Sequence, residues 1–145
     1  MPVEPIRHEF VVRCPASHAF EVYVHDIGRW WLPTYCEGPG DYQGVVIEPK
    51  LGGSVYETHT DGTSHRWGEV TDWEPGRRLR YTTNLGHRDP LRPSEIVVEF
   101  SDEASGCQVD FSHGGWDDDN KHERVKFTEW QLLLNSYIAH AEGRR

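Results

Sequence analysis

The sequence is short of cysteine, short of positive charge and without any long apolar run, and each shortage removes a class of function. Cys14, Cys36 and Cys107 are far apart along the chain and odd in number, so neither a disulfide framework nor a CxxC metal site is expected from them. Free thiols fit a reducing cytoplasm. Lys and Arg number 15 against 24 Asp and Glu, a formal charge of -9. A hold on nucleic acid or on an anionic membrane needs clustered cations, so neither is an expected partner. No stretch approaches the roughly 20 apolar residues of a spanning helix, and the opening MPVEP lacks the basic-then-apolar order of a signal peptide. A cytoplasmic location is the expectation. There is no internal repeat and no low-complexity segment beyond the acidic run Asp117, Asp118, Asp119.

What the chain does have is aromatic. Six Trp, six Tyr and five Phe make 12% of its 145 residues, a length that suits one domain with a real core. Such rings fill a core or line a cavity, and the polar ends of Trp and Tyr want partners. The run IRHEFVVR (6–13) reads as a strand that stops at Pro15, a residue suited to the first turn of a helix. Ala16, Ala19, Phe20 and Tyr23 then recur at helical spacing and share one face. Residues 26–31 (DIGRWW) predict a second short helix with Asp26 as its N-cap, and the Gly/Pro-rich run 36–44 that follows reads as a mobile loop.

From Val45 the texture becomes short runs separated by turn signals at Gly52-Gly53, Asp61-Gly62, Pro75-Gly76 and Ser105-Gly106, the pattern of an antiparallel meander. Strands are expected at 45–48, 54–60, 66–73, 78–84, 94–101 and 107–113. The stretch 85–93 (LGHRDPLRP) is longer than a tight hairpin needs and is a candidate lid. Alternation places Leu79, Tyr81 and Thr83 on one face, as it does Ile96, Val98 and Phe100, and Cys107, Val109, Phe111 and His113. With the opposite face mainly polar, one side of the sheet requires a cover. A helix over 123–141 supplies it, with Phe127, Trp130, Leu134, Tyr137, Ile138 and Ala141 as its apolar stripe. Asn120 and Glu123 resemble a capping box at its start, the three aspartates suit the positive end of its dipole, and Gly143 ends it.

Strand, two short helices, meander and long final helix is the element order of the START-like, or SRPBCC, superfamily, which includes the birch-pollen allergen and polyketide cyclases. LGGSVYE from Leu51, WGEVTDWEPGRRL from Trp67, HGGW from His113 and the paired tryptophans within 27–33 resemble the branch named for the activator of the heat-shock-protein-90 ATPase. The resemblance covers nearly the whole chain. It implies one domain over 1–145 with the helix-grip α+β fold, in which a curved antiparallel sheet of six to seven strands wraps the C-terminal helix. It also implies a possible chaperone partner, although the co-chaperone of that name is similar to a larger protein with a client-binding N-terminal domain that is not found in this sequence.

Candidate site residues follow from the inward faces. The set Trp30, Trp31, Trp67, Tyr81, Phe111, Trp116 and Trp130 either lines a pocket between sheet and helix or plugs it. His113 either aims its imidazole into that pocket as an acid, base or ligand anchor, or is held by a backbone carbonyl to shape the HGGW turn. Glu57 and His59 face inward if Val55 does; if Tyr56 does instead, Glu57 is solvated. Trp73, before a turn, reads as structural. The nine histidines form neither i, i+4 helical pairs nor HxH strand pairs, so no metal site is expected, and Cys107 on an apolar face reads as an inert small hydrophobe.

Three functions remain in order: a binder of a small apolar or aromatic molecule, with His113 and Glu57 at its polar end; a protein-binding accessory such as a chaperone partner; and a cyclase or hydrolase using Glu57 and His113 as acid and base. Nothing in the sequence demands catalysis or a cofactor, so binding is expected ahead of enzymatic activity. An exposed edge strand over 6–13 suits a monomer or a weak homodimer.

Overall fold

The computed structural model describes residues 3–36, 41–85, 87 and 91–143. Parts of the two loops expected over 36–44 and 85–93, and with them the lid, lie outside the described residues. The element order is β1 (Ile6–Val12), α1 (Ala16–His25), α2 (Ile27–Trp30), β2 (Tyr42–Ile47), β3 (Ser54–His59), β4 (Ser64–Glu74), β5 (Arg78–Thr83), β6 (Ser94–Glu103), β7 (Gly106–Gly114), a 3₁₀ helix (Lys121–Lys126) and α3 (Trp130–Ala141). Seven antiparallel strands form one sheet in the order β1-β7-β6-β5-β4-β3-β2. The meander runs in sequence, and β1 returns to pair with β7 in the register Ile6↔His113 to Val12↔Cys107. This is the helix-grip α+β architecture, with one face of the curved sheet covered by helices.

The inward residues are those that alternation selects. Leu79, Tyr81, Ile96, Val98, Cys107, Val109, Phe111 and His113 are all buried. Tyr137 of α3 ties the cover to the rest of the core, donating its hydroxyl to the carbonyl of Ala19 at 2.7 Å. Gly68 permits the bulged β4 to approach β5, because a Cβ there would lie 1.8 Å from the Thr82 carbonyl oxygen.

Two capping expectations need correction. Asp26 precedes α2 but makes no side-chain cap; its carboxylate instead meets Nε2 of His140 on α3 at 3.1 Å. The first amide of α1, at Ala16, is capped from across the sheet by Asp102 Oδ1 at 2.8 Å. The C-terminal helix is also shorter than its apolar spacing predicts. Residues 121–126 are 3₁₀, residues 127–129 are irregular, and α-helix begins only at Trp130. Asn120 does not cap a helix here: its side chain accepts from the Asp117 amide and donates to the carbonyls of Pro93 and Gly115. The break lets Phe127 turn onto the His113 ring, 4.5 Å away between centroids, a tertiary contact that overrides helical periodicity. Gly143, at φ 77, closes α3 as expected, its amide donating to His140 O.

The cysteines are also closer than their sequence spacing suggests. The pairing of β1 with β7 brings Cys14, just after β1, near enough to Cys107 for each thiol to influence the other, and all three cysteines are free. Burial pushes the Cys107 thiol up to about 11, which keeps it protonated and unreactive.

Candidate functional site

At the open end of the grip, between the segment after α2 and the start of α3, lies a groove of about 280 Å³. Its walls are Trp31, Tyr35, Leu85, Phe127, Trp130 and Leu133, with Thr34, Cys36, Lys126 and Glu129 as the polar members. Beneath it, between sheet and helix, remains a void of only about 10 Å³, lined by Trp67, Tyr81, Thr83, Ile96 and His113 and sharing Trp31, Leu85, Phe127 and Trp130 with the groove. That void is about one probe sphere. The deep interior is therefore plugged by its aromatic rings, and the usable space sits at the mouth.

The local sequence explains the walls. α2 ends with Trp31 in extended conformation, and Pro33 keeps the helix from resuming by disfavouring helical geometry at Leu32. The Trp31 indole then donates to the Tyr35 carbonyl at 2.7 Å and fixes the following turn. Trp31 packs against Trp67 at 5.0 Å and against Trp130 at 5.9 Å between centroids. The irregular residues 127–129 put Phe127 and Trp130 on the facing wall.

Two buried polar clusters stand behind this surface. In the first, Val55, Glu57 and His59 all face inward, which settles the face of β3; Glu57 is 0% exposed. Glu57 Oε1 accepts the Trp67 indole N–H at 2.8 Å, and Oε2 lies 2.5 Å from His59 Nε2. In the second, His113 is also 0% exposed. An indole N–H only donates, so the 3.0 Å contact from Trp130 Nε1 makes His113 Nδ1 an acceptor. Its proton then sits on Nε2 and is donated to Ser94 Oγ at 2.6 Å. Ser94 in turn lies 2.9 Å from His87 Nε2. The backbone carbonyl of His113 accepts the Trp116 indole N–H and so holds the HGGW turn. Among the described residues no group of three or more His, Cys, Asp and Glu is arranged to hold a metal ion, and no helix is long and apolar enough to cross a membrane.

A family model described as "Activator of Hsp90 ATPase homolog 1-like protein" matches residues 13–140. The chain belongs to that family. No curated protein matches it. Among solved structures it resembles Txn09, described as an anthrahydroquino-γ-pyrone synthase complexed with SUM, at 30% identity over 97% of each chain with a TM-score of 0.60. It is also similar to the Aha1 dimer from Colwellia psychrerythraea, at 16% identity over 97% of each chain with a TM-score of 0.66. Protein NE0264 from Nitrosomonas europaea aligns over 99% of each chain at 13% identity, TM-score 0.70. The latter two likenesses speak to the fold alone.

Within this family frame the nine residues singled out from sequence separate by position. Trp31 and Trp130 line groove and void, while Trp67, Tyr81 and His113 line the void only. Trp30 is core, donating to the Val22 carbonyl and packing on Tyr23 and Tyr137. Phe111 and Trp116 back the wall through Trp130 and His113, and Glu57 stands behind Trp67. Tyr35, Glu129, Lys126 and Leu133 escaped sequence reading. They come from a loop and a helix start with no periodicity pointing to the groove; only Phe127, already in the predicted apolar stripe, carried a signal.

Burial, with smaller effects from His87 and Arg124, holds the His113 pKa down to about 3. The unfolded chain takes up a proton near pH 6.5 that the folded chain refuses until about pH 3. Stability is therefore unaffected by His113 above about pH 6.5 and falls as pH drops below it, by at most on the order of 5 kcal/mol. His87, lowered mainly by burial, acts in the same direction. Urea midpoints measured between about pH 7.5 and pH 4 should fall steeply for the wild type and much less for His113→Gln. Equal slopes would assign the acid sensitivity elsewhere.

Proposed function

We propose that this domain binds a planar, polycyclic aromatic molecule of the polyketide type in the groove between Trp31, Tyr35, Phe127 and Trp130. The observation that carries the reading is the groove itself: about 280 Å³, aromatic on both walls and open on one side, near the lower end of the ~300–1,000 Å³ typical of ligand pockets. Its aromatic walls suit flat π-systems, which stack offset or edge-on against such rings. With its cysteines free, a reducing cytoplasm is the compartment we propose. Native mass spectrometry with emodin, a trihydroxyanthraquinone, is the test. A retained one-to-one adduct that disappears in Thr34→Trp, which fills the groove from its exposed rim, is expected; bare protein at saturating emodin overturns the reading.

A second reading, ring closure on the bound aromatic, is favoured by the 30% identity to a γ-pyrone synthase. In it the groove holds the reacting arms together against its aromatic walls. Glu57 and His113 then serve to position Trp67 and Trp130, through which they meet the walls. The family's description also keeps a chaperone-accessory role in view; stimulation of a chaperone's ATPase by the purified domain would favour it over both.

A further inference from the structure

We propose that the groove selects aromatic ligands bearing a free hydroxyl, with the Glu129 carboxylate as the reader and Tyr35 as a built-in stand-in that the ligand displaces. The inference rests on the groove being the ligand site. Tyr35 reaches across from the segment after α2, and its hydroxyl donates to Glu129 Oε2 at 2.6 Å. That length belongs to charge-assisted O–H···O⁻ bonds. A phenol bonded to a carboxylate between aromatic walls is the chemistry a hydroxylated aromatic ligand would reproduce.

The bond is suited to exchange rather than to holding the fold. Glu129 is exposed and Tyr35 only partly buried, and a single polar contact at such a surface contributes little to stability. What is fixed is the Tyr35 backbone, held by the Trp31 indole and by its own amide to Leu32 O, so only side-chain torsions need turn for its hydroxyl to leave Glu129. The hydrogen bond to Glu129 raises the Tyr35 pKa, keeping the phenol protonated and able to donate.

Among the described residues, the other charged group on the groove is Lys126, whose ammonium is held by the buried Glu123 carboxylate at 2.6 Å. Glu129 is thus the groove's strong acceptor, and a negative one. A ligand hydroxyl finds a partner there, whereas a ligand carboxylate meets a like charge.

Isothermal titration at pH 7 with 2-naphthol, naphthalene and 2-naphthoate tests this. The wild type should bind 2-naphthol only about twofold more tightly than naphthalene, because the new hydroxyl–carboxylate bond replaces the one that Tyr35 gives up, with 2-naphthoate weakest. Tyr35→Phe leaves the carboxylate open and should raise the naphthol-to-naphthalene ratio to about tenfold. Adding Glu129→Gln to Tyr35→Phe should return that ratio to about twofold and relieve the naphthoate penalty. A ratio in Tyr35→Phe no higher than in the wild type, or one that Glu129→Gln leaves unchanged in that background, overturns the proposal. Equal binding of all three compounds to every variant overturns it while sparing the groove; no binding by any variant removes the groove reading and this inference with it.

Discussion

Glu57→Ala is expected to lower the free energy of unfolding by roughly 2–6 kcal/mol, at about 1–3 kcal/mol for each buried partner left unsatisfied. The carboxylate is fully buried, and alanine leaves both the Trp67 indole and His59 Nε2 without their acceptor. Urea denaturation followed by tryptophan fluorescence measures the loss, and a change below about 1 kcal/mol would mean that water replaces the carboxylate freely. The double variant Glu57→Leu/His59→Leu should recover only the His59 share of the loss, since the buried Trp67 indole N–H stays without its acceptor. If that variant is stable but no longer retains emodin, the pair is kept for the site through Trp67 rather than for the fold.

Trp130→Ala should cost about 3–5 kcal/mol, as large-to-small changes of buried Trp do. The loss has three parts: the buried ring, its packing on Phe111 at 4.6 Å between centroids, and the hydrogen bond to His113 Nδ1. Trp130→Phe keeps most of the ring and loses the bond, so about 1–2 kcal/mol is expected there. Because Trp130 lines both the groove and the void beneath it, alanine should join the two into one deeper cavity. Millimolar indole should then raise the Tm of Trp130→Ala more than that of the wild type. If indole protects the variant no better than the wild type, the surrounding side chains have closed over the gap.

Much of this was legible in the sequence, and what was not has identifiable causes. Period-two alternation found the inward faces of β5, β6 and β7, because one covered face leaves little choice of register. On β3 the pattern left Tyr56 and Glu57 as alternatives, since a buried carboxylate is costly unless paired. The pairing partner Trp67 sits on the next strand, where no local pattern points to it. The C-terminal helix was read too long because Phe127 fits the helical stripe, yet it serves His113 and Trp116 rather than helix continuity. The groove itself could not be read, since residues 31–36, 85 and 126–133 meet only after the sheet has closed.

The return of β1 to pair with β7 has a kinetic consequence. β1 ends at Val12 and its partner begins at Gly106, so during synthesis at about 5–20 residues per second the first strand waits on the order of 5–20 s before its mate exists. Through that interval Phe10, Val11 and Val12 have no ladder to join, and the apolar segment is open to mispairing with other nascent chains. Pairing ends so distant in sequence must also overcome loop-closure entropy before any contact compensates. Folding of this domain should therefore be slow and late, completed only after β7 and the covering helix α3 leave the ribosome.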